Sequence, residues 1–256
     1  FNDPVTIRGG NDIIVDGQIT GTGDASVRLE TASLSTTFLN DDIITEGETI
    51  TIDDTVVLGA DVQLDSTNGG AVGAGADIQV TGAITGSGSA RNFTANAGTG
   101  GILDLQGDIG ASNLVNNVDF DSFDFVYGNA LTSQGSANID TVQRIELHSG
   151  GSITTTSGNI ELNANQGGTQ TAGDFAGMNL IGGSIVQTSS GDITLRARGG
   201  TTGGRGIYID GGSDVIGGSS GQVTLEGDTT GTGSQRNAIY LTGNGSTVTA
   251  SGADIS

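Results

Sequence analysis

One heptapeptide recurs in this chain, and its recurrence limits the available folds more than any other feature. Gly158-Asn159-Ile160-Glu161-Leu162-Asn163-Ala164 returns as Gly191-Asp192-Ile193-Thr194-Leu195-Arg196-Ala197, then as Gly221-Gln222-Val223-Thr224-Leu225-Glu226-Gly227. The leading glycines stand 33 and 30 residues apart, and a fourth copy opens at Gly252. Inside each copy apolar and polar residues alternate, which is the period of a strand with one face buried. A repeat of this length is one supersecondary unit that cannot bury its apolar face alone, so successive units must stack. Ile160, Ile193 and Val223 are predicted to form one inward column, and Leu162, Leu195 and Leu225 the next.

Two further strand families lie between these. Ile145-Glu146-Leu147, Met178-Asn179-Leu180, Ile207-Tyr208-Ile209 and Ile239-Tyr240-Leu241 recur, each followed by a glycine-rich corner such as Gly182-Gly183 or Gly211-Gly212. Beyond the corners come Ser152-Ile153, Ser184-Ile185, Ser213-Asp214-Val215 and Ser246-Thr247-Val248. Toward the N-terminus, residues 12–17 match 42–47 at a separation of 30, and residues 77–82 follow 35 later. Ile19-Thr20-Gly21 is echoed by Ile84-Thr85-Gly86, while residues 110–140 fit the register least well. The expectation is an all-β chain: a right-handed parallel β-helix, with three short strands per coil of about 30–33 residues and roughly eight coils. It should be a single solenoid over residues 1–256, with looser coils over 1–140 and regular coils over 141–256, cut from a longer chain. β-Branched residues and glycine abound while helix formers are scarce, so helix is not expected.

Composition excludes several function classes. The 256 residues include 47 Gly, one Pro and no Cys, and the eight basic side chains are all Arg against 29 Asp plus Glu, for a net charge of −21. Nucleic acid is excluded, because a chain without Lys has little with which to release phosphate counterions. Docking on an anionic membrane is excluded on the same ground, and no apolar run is long enough to span a bilayer. His148 is the sole histidine, so no Ser-His-Asp set or His-rich metal site can be assembled. Pectate lyases and polygalacturonases are enzymes on β-helices, but they work with basic residues that are sparse here. His148 is read as an outward corner residue.

The pattern G-[ND]-I-x-L-x-[AG], with glycine-rich corners and Ser/Thr-rich coils, resembles the filamentous-haemagglutinin-type repeat regions of large secreted bacterial adhesins. That resemblance implies an extracellular or cell-surface protein of the Gram-negative type. Its rod would present a binding edge or act as a stalk, without catalysis. Its partner would be a glycan or protein on a host or neighbouring cell, or copies of itself. Two alternatives stand beside it: a self-assembling subunit of an extracellular fibre or coat, and a polysaccharide-acting β-helix enzyme.

Several constellations carry the candidate sites. Tyr208 and Tyr240 occupy one outward position on adjacent coils, where they either hold a sugar ring or protein, or pack on each other. Loops over 165–177, 198–206 and 228–238 differ in length, as the binding edge of a solenoid does, and place Arg198, Arg205 and Arg236 as a basic stripe. The bland alternative is a tolerated surface insertion. Arg196 is predicted to pair with Glu226 across two coils. Asp12, Asp42 and Asp77 are predicted to stack on successive coils, where Ca²⁺ would relieve their repulsion. Solvated turn-capping is the other reading of those three. No other cofactor is implied. Residues 119–127 hold four of the aromatic side chains, either as an inward stack or as an exposed patch.

Overall fold

The computed structural model describes residues 1–32, 35–229, 235–251 and 255. Among these there is no helix, and the chain runs as short strands joined by turns. The pairings between strands are parallel, each strand lying on its counterpart one turn earlier. This is a parallel β-helix. The chain divides into two compact units, residues 1–123 and 124–256.

The first unit contains β1 (Val5–Gly9), β2 (Ile13–Val15), β3 (Ile19–Gly21), β4 (Val27–Thr31), β5 (Thr36–Leu39), β6 (Ile43–Thr45) and β7 (Ile50–Ile52). After them come β8 (Thr55–Leu58), β9 (Val62–Asp65), β10 (Ile78–Val80), β11 (Ile84–Gly86), β12 (Phe93–Asn96) and β13 (Leu103–Leu105). The division falls inside β14 (Val118–Tyr127). One column runs Val5, Val27, Ile50, Ile78, Leu103, so successive coils advance by 22, 23, 28 and 25 residues. A second column carries Ile13, Thr37, Val56 and Ile84. A third carries Ile19, Ile43, Leu64, Ala95 and Phe120.

Most coils in this unit are therefore shorter than the expected 30–33 residues, the step from Leu64 to Ala95 alone, at 31, falling within them among the columns just given. The similarity among residues 12–17, 42–47 and 77–82 joins β2, β6 and β10, which belong to three different ladders. The echo between residues 19–21 and 84–86 likewise joins β3 to β11, again on different ladders. Each face opens on the same local chemistry: a polar residue, an inward β-branched residue, an outward one and another inward one. A sequence match therefore cannot distinguish the next coil from the next face.

The second unit continues with β15 (Ala130–Ser133), β16 (Ala137–Leu147), β17 (Ser152–Thr155), β18 (Ile160–Ala164), β19 (Met178–Leu180) and β20 (Ile185–Thr188). It goes on through β21 (Ile193–Arg198), β22 (Ile207–Ile209), β23 (Asp214–Gly217), β24 (Val223–Asp228), β25 (Ile239–Leu241) and β26 (Thr247–Ala250). Here the predicted columns hold. Ile160, Ile193 and Val223 are in register, as are Leu162, Leu195 and Leu225, and all are fully buried except the half-buried Leu225. Ile145, Met178, Ile207 and Ile239 form the second family, advancing by 33, 29 and 32 residues, the first three fully buried and Ile239, in the last coil, exposed. Each such side chain withdrawn from water contributes roughly 1.5–3 kcal/mol. The fourth repeat copy at Gly252 lies outside the described residues except for Ile255, which bridges to Val223 one residue later than a copy opening at Gly252 would place it.

The third family is out by one residue. Ile153 pairs with Val186, not Ile185, and Val186 with Val215. The cause is local: Ser184 is drawn inside, where its hydroxyl meets that of Ser213 at 3.1 Å, so the next inward position falls on Val186. Residues 110–140 also fit the ladders better than the sequence suggested, with β14 in register on β12 and β15 on β17. The inward reading of the aromatic stretch holds for Phe120, Phe125 and Tyr127, which are buried, whereas Phe123 is half-buried. Phe93 meets Phe120 edge-on at 5.6 Å. Phe125 stacks with Tyr127 at 5.4 Å, and the Tyr127 hydroxyl donates to the Ala130 carbonyl at 3.0 Å.

The repeat motif now has a physical reason at each of its first three positions. The glycine is required by close approach: a Cβ on Gly191 would lie 2.1 Å from the Gly158 carbonyl oxygen, and one on Gly221 1.7 Å from that of Gly191. The Asn/Asp that follows caps the next coil. Ser136 Oγ accepts from the Asn159 amide at 3.1 Å, Asn159 Oδ1 from the Asp192 amide at 2.9 Å, and Asp192 Oδ1 from the Gln222 amide at 2.7 Å. The branched residue after it starts the inward column.

Candidate functional site

Length variation in the second unit is concentrated at one corner, the other two differing by at most two residues from coil to coil. β16 bends from its pairing with β18 to its pairing with β19 without any loop. The equivalent passage takes residues 165–177 between β18 and β19, and residues 199–206 between β21 and β22. Without the loop, Ala137 to Ile160 is an advance of 23 residues, so the longer repeat is a bare coil plus a corner insertion.

These insertions are built, not loose. Asn165 is buried with a positive φ of 58°, which Asn tolerates better than most residues. Its Nδ2 donates to the carbonyls of Arg198 and Gly199 at 3.0 and 3.1 Å, and its Oδ1 accepts from the Thr171 amide at 2.9 Å. Backbone bonds carry the ladder outward from one loop to the next: Gly200 N–H to Phe175 O at 3.0 Å, Thr202 N–H to Gly173 O at 2.9 Å, Gly177 N–H to Arg205 O at 3.0 Å. Gly204 closes the contact with φ +101°, and a Cβ there would lie 1.8 Å from the Phe175 carbonyl oxygen.

Beside this corner runs the outward column Glu146, Asn179, Tyr208, Tyr240. The two tyrosine rings stack at 5.8 Å with 12° between their planes. The Arg205 guanidinium lies over both, 4.1 Å from the Tyr208 centroid and 4.5 Å from that of Tyr240. This is cation–π geometry on two rings at once. The Tyr208 hydroxyl donates to Asp210 Oδ2, and that bond, aided by burial, lifts the phenol above its ordinary range. The same bond, with the Gly211 amide on Oδ1 at 2.7 Å, holds the Asp210 carboxyl below the usual carboxylate range. Loops and column together border a cleft of about 320 Å³, lined among others by Asp174, Phe175, Asn179, Arg205, Tyr208 and Gln235.

The structure thus gathers Tyr208, Tyr240 and Arg205 and separates Arg198 from them. Arg198 turns back on the first loop, donating through Nε to Asn165 O at 2.9 Å and through Nη2 to Gly167 O, so it ties the loop instead of facing a partner. Arg236 is exposed in the third loop, of which residues 230–234 lie outside the described residues. Arg196 pairs with Glu226 as predicted, Nε to Oε2 at 2.9 Å, and also reaches Glu161 at 2.6 Å; the bond to Glu226 raises its already high pKa further. His148 stands half-buried at a corner, 3.1 Å from Ser149 Oγ.

The acidic stack does not form. Asp12, Asp42 and Asp77 precede strands on three ladders, and each carboxylate accepts one backbone amide of the following coil: Thr36 at 2.9 Å, Gln63 at 2.7 Å and Ile102 at 2.8 Å. Among the described residues no three acidic or histidine side chains converge as metal ligands. Sequence reasoning missed Asn179, although it holds the Tyr208 position one coil earlier and was readable from the repeat. Asp174 and Phe175 lie in aperiodic loop and gave no such signal. Comparison with protein-family models, with curated proteins and with solved structures finds no match to this chain.

Proposed function

We propose that this chain is a non-catalytic β-helical segment of an extracellular bacterial adhesin or exoprotein of the Gram-negative type, presenting the loop-bearing corner of its second unit to a glycan or protein on another surface. One observation carries this reading: the Arg205–Tyr208–Tyr240 cluster stands beside a cleft whose walls are tied by backbone hydrogen bonds. A surface held in shape before contact loses less entropy on binding. Tyrosine and arginine are the side chains that interfaces favour, because they present large amphipathic area at low conformational cost. The coil faces, by contrast, carry many short outward Ser, Thr and Asn side chains with little area to desolvate, and Arg196 there is tied to Glu161 and Glu226.

The test is a glycan array and a pull-down from surface extracts, run on the wild type and on the triple variant Arg205→Ala/Tyr208→Ala/Tyr240→Ala. Binding by the wild type and its loss in the variant is expected. Equal binding by both would move the site elsewhere. Filaments without any binding would favour the fibre or coat subunit. Release of reducing ends from an incubated polysaccharide would favour the enzyme.

A further inference from the structure

Resting on that reading, we infer that the cleft takes a neutral polyhydroxylated ring, a hexopyranose unit of an uncharged glycan, in preference to an acidic sugar or a peptide carboxylate. The inference comes from what the lining can donate and accept. Arg205, whose guanidinium lines the cleft, can only donate. Gln235 and Asn179 offer amides, each both donor and acceptor. Asn179 already gives one N–H to Glu146 Oε2 at 3.2 Å, which leaves its carbonyl oxygen as an acceptor. Asp174 is exposed and acts only as an acceptor.

A hydroxyl donates and accepts, so it satisfies both kinds of group, and a vicinal pair satisfies them at adjacent points. A carboxylate only accepts. It would meet Asp174 in the cleft, with Glu146 and Asp210 close behind, in a chain of net charge −21. A single guanidinium, already spread over two tyrosine faces, stands against that field. Between an acidic sugar and a neutral one, the neutral one is favoured.

The apolar half of a sugar ring needs a flat hydrocarbon surface. The facing sides of Tyr208 and Tyr240 are taken up by their own stacking and by Arg205. Phe175 is the other ring in the lining, and Gly173 and Gly200 pack against it so closely that a Cβ on either would stand 3.2 or 2.8 Å from its carbons. Those glycines let two loops clasp the ring in one position. The stack with Phe175 then sets the sugar's orientation, and Asp174 and Asn179 select its hydroxyls.

The experiment measures affinity by calorimetry on the whole chain for neutral oligosaccharides and for sialylated or uronate-bearing ones, with wild type, Phe175→Ala and Asp174→Asn. Melting curves confirm that each variant is folded. A neutral glycan is expected to bind, with at least a tenfold loss in each variant. Two results overturn the inference while sparing the adhesive reading. One is tighter binding of acidic glycans that is lost in Arg205→Ala but kept in Asp174→Asn. The other is neutral binding unchanged in Phe175→Ala. Absence of any glycan or protein ligand for the wild type would remove both.

Discussion

The residue before each inward strand governs how one coil meets the next. Asp192 accepts the Gln222 amide, and the same work is done by Asn159, by Asn92 toward Asn117 at 3.2 Å and by Asp61 toward Asn92 at 3.0 Å. Charge is therefore not what the position requires; a short side-chain oxygen is. Asp192→Asn should leave the melting temperature nearly unchanged, while Asp192→Ala should cost about 1 kcal/mol, the usual worth of such a cap. Calorimetry of the two variants separates these outcomes. At Asp210 the carboxyl pKa is depressed, so the stability it adds is present above its unfolded value and lost as pH falls through the folded one. Tyr208→Phe should move the Asp210 midpoint up toward the ordinary range in an NMR titration. Asp124 is the reverse case: burial outweighs the lowering by Arg144 and raises its pKa, so the ionised group costs stability at neutral pH, and the cost is relieved as pH falls. Asp124→Asn should melt higher than wild type at pH 7, with the gap closing in acid.

Among the elements, the inward columns carry the stability and the corner loops carry the individuality. Ile193 sits fully buried between Ile160 and Val223. Truncation to Ala should cost roughly 2–5 kcal/mol, as core Ile-to-Ala changes do, and Ile193→Asp should cost more or drive the carboxyl to protonate. Urea midpoints for the pair would check the order. Gly204→Ala should disturb the loops instead, read as faster amide exchange at Gly177 and Gly200 with β21 unaffected. The columns of the second unit were legible because Ile145, Ile160 and their successors alternate strictly and recur at one spacing. Those of the first unit were misassigned, because Asp12, Asp42 and Asp77 carry one signature on three faces and the sequence does not number faces. The tyrosine pair was legible for the reason the columns were: Tyr208 and Tyr240 sit at one phase of one family. Arg198 misled because a guanidinium in a loop reads as exposed, whereas its partners are backbone carbonyls that no side-chain pattern reveals. Phe175 was silent for the same reason, since it is placed by loop-to-loop backbone bonds.

For the molecule as a whole, 29 acidic and 8 basic side chains fix the response to ions. Among the described residues seven close ion pairs use Arg8, Arg28, Arg144 and Arg196, but acidic side chains outnumber basic ones by 21. Self-repulsion of this sort is screened by salt. The melting temperature should rise between low salt and about 0.15 M NaCl, where the screening length falls to roughly 8 Å. With Asp12, Asp42 and Asp77 on separate ladders, millimolar Ca²⁺ should add no more than Mg²⁺ at equal ionic strength; a larger shift with Ca²⁺ would reveal a site these residues do not form. The capping ladder has a further consequence, for the order in which the chain acquires its structure. Every cap points forward: the acceptor belongs to the earlier coil and the amide to the later one. The ladder amides of the inward residues run the other way: Ile160 N–H donates to Asp192 O and Ile193 N–H to Gln222 O, both carbonyls of the coil that follows. Each seam is therefore closed in both senses, side chain forward and backbone backward, and neither coil is complete at that corner until the other has docked. Folding that starts from either end meets the same requirement, so each seam closes as a unit, whichever of its two coils is laid down first.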